Sequence, residues 1–317
     1  MPTQGSTLPY IYLFHSESTW IRTGNFVPNF ISDLYKKIVL KSLRLIPDYI
    51  RGKWRLARIL FFLIDRKGEF EVVNKSGQKF VIPNAIEPIG FSLLISGVYE
   101  ENVLDLITKL SNPGSVVIDV GANIGCFVIP IADHLGQNGR IFAFEASKYV
   151  FKYLEKNISI NNIKNAECIN AAVSDNDNPM IFYDAAQHKY GMGSLGRIGQ
   201  SFNGIKTTCH SLDNYFRDFD KDISVLKIDV EGFEILVLIG ATNMLKCGKI
   251  KLIVFEFLDW AESQVPGHTC GDSQRFLVEM GYQIWRLNDY LEGKPSLTTI
   301  LEVGGEMLVA KKPLPRN

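Results

Sequence analysis

The chain has 317 residues, 46% of them hydrophobic, and its 34 Lys and Arg balance its 34 Asp and Glu. This length suits one domain of ordinary size with additional N-terminal structure. A formal net charge of zero removes any global argument for nucleic acid as a partner. The five cysteines include no C-x-x-C pair, which favours buried, reduced thiols in a cytoplasmic protein.

The N-terminal part of the chain is basic. Residues 1–30 lack the pattern of a signal peptide, and the longest early apolar run, 59–64, is too short to cross a bilayer. Between residues 31 and 67, ten Lys and Arg face only three Asp, and apolar residues recur at partly helical spacing around Pro47. This pattern predicts two basic amphipathic helices. They would either contact an anionic membrane surface or an acidic partner, or form a solvated basic face packed on the rest of the protein.

A hairpin and a helix are predicted next. Residues 70–73 and 80–82 flank Asn-Lys-Ser-Gly at 74–77, which is a hairpin signal. Residues 93–110 have a helical pattern and end at the turn Asn-Pro-Gly, 112–114. We therefore expect an N-terminal extension, residues 1–85, that contains the basic helices and the hairpin, and a larger domain, residues 86–317.

The most informative stretch is residues 116–125. Residues 116–120 are a continuous apolar run with one carboxylate, Asp119, as in a parallel strand buried on both faces. Gly121, Ala122 and Gly125 then space a tight turn before a helical pattern at 126–135, and small residues let a ligand approach the main chain. The spacing matches neither the dinucleotide fingerprint G-x-G-x-x-G nor the phosphate loop ending Gly-Lys-Ser/Thr.

Strands and helices alternate after this turn, which predicts an α/β fold with a mostly parallel sheet and helices on both faces. A final antiparallel strand is expected to close the sheet. The predicted strands are 140–145, 166–173, 224–230 and 250–257, with a short one at 180–183 and a closing pair at 282–287 and 307–311. The predicted helices are 148–160, 233–245 and 273–280, and a further helix begins at Ser211.

Four carboxylates, Asp119, Glu145, Asp229 and Glu256, fall near the ends of predicted strands. Ligands of open α/β sheets bind outside these strand ends, and burying a carboxylate without partners costs several kcal/mol. A cofactor with an ammonium, a ribose and an adenine would supply the partners. Glu145, roughly 20 residues after the Gly turn, is placed to accept the ribose hydroxyls. Asp119 would brace the turn or bind the ammonium through water, and residues 170–175 would flank the adenine.

Several segments resemble the FkbM family of S-adenosylmethionine-dependent methyltransferases over roughly residues 90–285. They are 117–125, 144–146, 193–195, 207–208, 211–213, 226–234 and 240–241, of which the Lys-Ile-Asp-Val-Glu-Gly block at 227–232 is the most specific. Cys209-His210 departs from the small or acidic pair usual in the family. The resemblance implies a class I, Rossmann-like methyltransferase domain, S-adenosylmethionine as donor, and O-methylation of a hydroxyl on a sugar, a glycan or a glycosylated natural product. The expected cofactor-binding residues are Asp119, Gly121, Asn123, Gly125, Glu145, Ala146, Ala172, Ser174 and Asp229.

The block at 227–232 supplies the candidate catalytic groups. Alternation along a strand would place Lys227, Asp229 and Glu231 on one side. Methyl transfer to an alcohol needs a base and an oriented nucleophile, so Asp229 or Glu231 could be the base, or could hold a hydroxyl or a divalent ion. A purely structural Lys–carboxylate cluster is the competing interpretation. Glu234 would cap the following helix.

Other groups are eligible without being decided. His188, His210 and His268 are alternative bases, and we retain His268 as a catalytic candidate. Asp229, Glu231 and Glu256 have a spacing that permits Mg²⁺ but is not diagnostic, so no metal is predicted. The Gly-rich loop 185–200 would be a lid or a plain connection.

Two rival functions stay under consideration. A nucleotide-dependent oxidoreductase lacks support because the third glycine of its fingerprint is missing. A non-catalytic scaffold that binds an acidic partner or a membrane through its basic helices would have no need of buried acids. The sequence leaves the acceptor and the oligomeric state undetermined.

Overall fold

The structure is a computed structural model that describes residues 29–47, 50, 52–61, 68–185, 187–195 and 203–313. The chain divides into two compact units, Met1–Asp65 and Arg66–Asn317. Within the described residues, no helix is both long enough and apolar enough to cross a membrane. The last part of the predicted lid, 196–200, lies outside the described residues.

The first unit contains the two predicted basic helices, α1 (Asn29–Leu45) and α2 (Lys53–Leu60). The hydroxyl of Tyr35 in α1 donates a hydrogen bond of 3.1 Å to the carbonyl of Leu60 at the end of α2. Pro47 lies between the helices, and Gly52, in the left-handed region at φ 94°, precedes α2. The prediction of two helices separated near Pro47 is confirmed.

The second unit begins with a hairpin and two helices and continues as an alternating α/β domain. Its strands are β1 (Phe70–Val73), β2 (Lys79–Ile82), β3 (Val116–Val120), β4 (Arg140–Phe144), β5 (Ala166–Ile169), β6 (Ala172–Val173), β7 (Met180–Asp184), β8 (Asn203–Thr207), β9 (Cys209–His210), β10 (Ile223–Ile228), β11 (Ile250–Leu258), β12 (Gln283–Arg286) and β13 (Gly305–Lys311). Its α-helices are α3 (Pro88–Ser96), α4 (Glu101–Leu110), α5 (Val128–Leu135), α6 (Lys148–Ile160), α7 (Leu212–Tyr215), α8 (Glu234–Ile239), α9 (Thr242–Lys246), α10 (Asp259–Glu262), α11 (Asp272–Glu279) and α12 (Leu287–Leu291). A 3-10 helix covers Gln187–Met192.

A seven-stranded sheet with the order β12-β13-β11-β10-β3-β4-β5 organises the second unit. The pairs from β11 through β5 are parallel, whereas β13 pairs antiparallel with both β11 and β12. The strand order reverses between β3 and β10, and a ligand of such a sheet binds outside the strand ends at this point. The predicted mostly parallel sheet with an antiparallel closing strand is confirmed.

Helices cover both faces of the sheet because its strands are buried on both sides. On one face, Ile118, Phe144 and Ile228 pack with residues of α8, α9 and α11. On the other face, Val117 and Val225 pack with residues of α4 and α5. Side chains alternate along a strand, so residues 119 and 227 project to this second face.

Three predicted elements are interrupted in the structure. The helix predicted at 93–110 is two helices, because Gly97 at φ 72° ends α3 and Glu100 at φ 45° precedes α4. The strand predicted at 166–173 stops at Ile169, and Ala172–Val173 instead pairs with Cys209–His210. The helix predicted at 233–245 breaks before α9, whose first amides at 243 and 244 donate to the carboxylate of Asp213.

The β1–β2 hairpin, which the sequence analysis grouped with the N-terminal extension, lies in the second unit. The amide of Val81 donates to Oδ1 of Asn157 in α6 (2.7 Å), and Asn157 Nδ2 donates back to the carbonyl of Val81 (3.2 Å). Asn161, one turn later, makes the same paired bonds to the backbone of Lys79. These bonds fasten the hairpin to the α/β domain.

Candidate active site

The glycine turn after β3 ties three strand ends together. The amides of Gly121 and Ala122 both donate to the carbonyl of Phe144 at the end of β4, at 2.9 Å. Gly121 has φ 84°, and a Cβ built on it would lie 1.8 Å from the carbonyl oxygen of Asp229, which follows β10. Only glycine permits this approach. The predicted tight turn is therefore closely packed against the chain that follows β10, and the approach of a ligand to its main chain stays a prediction.

Glu145 lies directly after β4 and is 7% exposed. Its Oε2 accepts from the amide of Asn123 (2.9 Å) and its Oε1 from the amide of Ser147 (2.8 Å), so it joins the glycine turn to the start of α6. Burial raises the pKa of Glu145 to about 7. Each carboxylate oxygen offers two lone pairs, so Glu145 can accept further bonds from a ligand. Asn123 itself has φ 50°, which asparagine tolerates.

Lys227 and Asp119 form a fully buried ion pair that follows from strand register. The two residues are direct partners between β10 and β3, and Lys227 Nζ lies 3.3 Å from Asp119 Oδ1 and 3.3 Å from Asp229 Oδ2. The ammonium also lies 4.7 Å from the centre of the Phe127 ring. Burial alone would lower the pKa of Lys227, but Asp119 and Asp229 raise it above its usual value. Lys227 therefore stays charged. Its contacts with Asp119 and Asp229 match the competing interpretation of a structural Lys–carboxylate cluster.

The position of Asp119 in this pair is unfavourable for the charged form of its carboxylate. Its carboxylate is completely buried, and neither oxygen has an aligned hydrogen-bond donor among the described residues, although Lys227 is close enough for an ion pair. Burial raises the pKa of Asp119, and the neighbouring ammonium opposes that shift. The side chain contacts Lys227 within the core, and its predicted contact with a cofactor ammonium stays a prediction.

Three carboxylates lie beside this pair at the end of the sheet. Single oxygens of Asp229, Glu231 and Glu256 lie within 4.8 Å of one another, a spacing that could hold a divalent cation. Burial raises the pKa of Glu231 and of Glu256, and the charge of Asp229 raises both further. Among the described residues, Glu231 and Glu256 have no side-chain hydrogen bond or ion pair.

The route by which Glu231 reaches the cluster differs from the prediction. Strand β10 ends at Ile228, so strand alternation does not place residues 229–231. Instead Glu231 has φ 54°, a left-handed conformation that is rare for glutamate. Gly232 follows at φ 98° against Ala261. A turn, held in an unfavourable backbone conformation, aims this carboxylate at the site.

The sequence model described as "Methyltransferase FkbM domain" matches residues 119–284, a little over half of the chain. The chain belongs to the FkbM methyltransferase family. No curated protein matches the chain.

Similar solved structures include an S-adenosylmethionine-dependent O-methyltransferase from Thermotoga maritima, which is 14% identical with a TM-score of 0.39 over 78% of this chain and 79% of that one. Precorrin-6y C5,15-methyltransferase from Geobacter metallireducens is 13% identical, with a TM-score of 0.40 over 68% and 90%. An rRNA methylase from Streptococcus thermophilus is 12% identical, with a TM-score of 0.38 over 66% and 93%. The family match, together with the mostly parallel seven-stranded sheet and its antiparallel strand β13, supports the methyltransferase fold that the sequence predicts.

Residues upstream of the FkbM match complete the acidic end of the sheet. Glu87, the N-cap of α3, accepts from the amide of Ile89 (2.6 Å), and burial raises its pKa to about 7. Burial and the charge of Asp229 also raise the pKa of Glu100 to about 7, and its buried Oε2 has no hydrogen-bond partner among the described residues. Within the same part of the chain the buried hydroxyl of Tyr190 has no partner either, and burial and then the charge of Glu87 raise its pKa.

The sequence did not predict that Glu87 and Glu100 reach the site, although one signal was present. Glu87-Pro88 is an N-cap followed by proline at the first helical position, which marks the start of α3. Glu100 falls within the helix predicted over residues 93–110, but in the structure it is the left-handed residue that precedes α4.

Glu234 supports the loop rather than facing a ligand. Its Oε1 accepts from the amides of Val230 (3.0 Å) and Gly232 (3.4 Å), and burial raises its pKa to about 8. The prediction that Glu234 caps the helix is wrong, because the N-cap of α8 is Phe233, which has no side-chain cap, and Glu234 binds amides of the preceding loop instead. Ser194, from the predicted Gly-Ser-Leu segment, donates from Oγ to the carbonyl of Glu231 at 3.3 Å. The described part of the predicted lid therefore touches the site.

The remaining predicted cofactor-binding residues have contacts with different parts of the protein. Asn170 Nδ2 donates to the carbonyls of Glu145 (2.8 Å) and Ala146 (3.4 Å). Ala172 and Ser174 are buried, and the Ser174 hydroxyl donates to Asp175 at 3.0 Å. Gly125, at φ 90°, packs against α5 and α6 side chains. Their contact with an adenine stays a prediction.

The histidines are placed differently from one another. His268 Nδ1 lies 3.5 Å from Asp272 Oδ2 at the start of α11, which is the ion-pair contact the structure gives it. The ring of His210 packs edge-on against Tyr215 at 5.3 Å. The side chain of His188 lies outside the described residues. All five cysteines are free thiols.

Proposed function

We propose that this FkbM protein uses S-adenosylmethionine to methylate a hydroxyl on a sugar, a glycan or a glycosylated natural product. The observation that carries the proposal is the accumulation of buried and half-buried carboxylates around Lys227 at the switch point. Asp229 influences the pKa of six other carboxyl groups, those of Glu87, Glu100, Asp119, Glu231, Glu234 and Glu256. Lys227 is the cation that directly contacts this group.

The residues present fit S-adenosylmethionine. When bound, the cofactor supplies an electrophilic methyl group on a cationic sulfonium, together with an ammonium and a ribose. Glu145 retains lone pairs for the ribose hydroxyls. The excess of carboxylates beside Lys227 favours cationic groups electrostatically.

A neutral hydroxylated acceptor suits the same cluster. An alcohol must lose a proton during methyl transfer, and a carboxylate whose pKa lies near the working pH is an effective general base. Burial raises the pKa of Glu231 in this direction, while Asp229 already contacts Lys227. We therefore assign Glu231 as the base and Asp229 as a group that orients the acceptor. An anionic acceptor would be repelled by this site.

The test is transfer of a labelled methyl group from S-adenosylmethionine to a panel of neutral glycosides, followed by chemical location of the methyl. We expect an O-methyl product. Glu231→Gln should lower kcat by roughly 10²–10⁴-fold, the usual contribution of a general base. Glu262→Gln is the control, since Glu262 is even more deeply buried than the half-buried Glu231 and accepts from the amides of Gly271 and Ser273. Methylation of nitrogen or carbon, or an unchanged kcat in Glu231→Gln, would contradict the proposal.

A further inference from the structure

The first unit presents exposed apolar and basic side chains side by side. Its exposed large apolar residues are Ile38 (57%), Leu45 (78%), Ile50 (44%), Trp54 (37%), Leu56 (41%) and Ile59 (63%). Lys37, Lys41, Arg55 and Arg58 are exposed on the same two helices. Among the side chains described between residues 35 and 61, none is acidic. We call these ten residues the basic–apolar surface.

Helical geometry groups these residues into stripes. Ile38 and Leu45 are seven positions apart and lie on one side of α1, with Lys37 and Lys41 forming a neighbouring row. The opposite side of α1 carries the buried residues Val39 and Leu43. The exposed apolar stripe of Ile38 and Leu45 is therefore distinct from the apolar residues through which α1 packs on the protein.

The second helix repeats the arrangement. Arg55 and Ile59 are four positions apart, as are Trp54 and Arg58, so each cation adjoins a large apolar side chain. Ala57 is completely buried on the remaining side of α2. Long basic side chains beside an apolar stripe can place their charges at lipid phosphates while the stripe enters the acyl boundary.

We propose that the basic–apolar surface binds the anionic surface of a lipid bilayer, with α1 and α2 lying in the plane of the interface. A bilayer with anionic headgroups supplies both an apolar phase and negative charge within one contact. A purely acidic partner would leave the apolar stripes in water. This inference rests on the first unit alone and is independent of the proposed methyl transfer.

The test is co-sedimentation of the full-length protein with vesicles of phosphatidylcholine, with and without phosphatidylserine. We expect binding to the anionic vesicles that weakens with added salt, since each Lys or Arg near such a surface contributes about a fivefold change in partition. The double variant Arg55→Glu, Arg58→Glu should lose binding by more than about tenfold. The matched control is Lys164→Glu, Lys246→Glu, which makes the same change of net charge on exposed residues of the second unit.

The apolar contribution has its own readout. Insertion should shift the emission of Trp54 to shorter wavelength, so that Trp54→Phe removes the shift and Trp260→Phe, at a similarly exposed position of the second unit, retains it. The proposal is overturned if the wild-type protein binds neither kind of vesicle, as would follow if the surface met an acidic protein or the rest of its own chain. It is equally overturned if the two double variants bind alike.

Discussion

The acidic end of the sheet and the basic–apolar surface of the first unit use charge in opposite ways. At the sheet end, Asp119 and Lys227 are buried within a set of carboxylates whose pKa values are raised. On α1 and α2, Lys41 and Arg55 are exposed to solvent. The zero net charge of the chain therefore conceals a buried acidic region and an exposed basic one.

The comparison shows that burial decides what a charge does. A buried ion must be matched locally because transfer from water is costly, and an unmatched carboxyl group takes up a proton instead. An exposed ion is screened by water and salt and contributes little to stability. The first kind of charge needs partners within the fold, whereas the second kind stays available to water, salt and other molecules.

The largest expected effect separates the two regions directly. Lys227→Met leaves Asp119 without its partner and should destabilise the protein by about 3–5 kcal/mol. Lys41→Met, on the basic–apolar surface, should change the free energy of unfolding by less than about 0.5 kcal/mol. Urea unfolding measures both. Adding Asp119→Asn to Lys227→Met should restore part of the loss, and similar values for the two single variants would refute the distinction.

A second prediction concerns packing. Gly121 and Gly52 both have positive φ, but a Cβ at Gly121 meets the backbone of Asp229 whereas a Cβ at Gly52 meets nothing within 4 Å. Gly121→Ala should therefore cost about 2–4 kcal/mol, the sum of the conformational penalty and the overlap. Gly52→Ala should cost about 1 kcal/mol, the conformational penalty alone. Equal costs, measured by urea unfolding, would show that the turn is not closely packed.

The pH dependence of stability tests the buried acids. The pKa of Glu234 is raised to about 8 in the folded protein, so its contribution to stability is complete at acid pH and is lost as the pH rises toward 8. This loss is absent in Glu234→Gln. As the pH rises toward 8, the free energy of unfolding of the variant should therefore increase relative to that of the wild type by on the order of 1 kcal/mol or more. Parallel stability curves for the two proteins would contradict the raised pKa.

The smallest effect concerns backbone strain at the acidic end. Glu100 has φ 45°, so Glu100→Gly should be more stable than Glu100→Gln by about 0.5–1 kcal/mol. At Glu101, inside α4, the order should reverse, because glycine weakens a helix by about 1 kcal/mol. Thermal unfolding of the four variants gives the comparison. The same order at both positions would show that the left-handed conformation of Glu100 carries no strain.

Local patterns predicted most of the fold and only part of the site. The apolar run at 116–120, the glycine turn and the carboxylate after β4 were readable because a buried strand and its turn have short-range signatures. The turn that carries Glu231 could not be predicted in this way. The sequence pattern extends the alternation of strand side chains to residue 231, whereas β10 ends at Ile228. Glu87 and Glu100 were missed because folding brings them to Asp229 from a distant part of the chain. The Lys227–Asp119 contact needed the strand register, which sequence alone does not provide.

The most direct test of the central claim is calorimetric titration with S-adenosylhomocysteine of the wild type, Glu145→Gln and Glu262→Gln. Both variants change a buried glutamate that accepts two backbone amides, but only Glu145 adjoins the glycine turn. We expect micromolar binding by the wild type and Glu262→Gln, and at least about tenfold weaker binding by Glu145→Gln, as for loss of one charged hydrogen-bonding group. A folded wild-type protein that does not bind, or a Glu145→Gln variant that binds as tightly as the wild type, would contradict it.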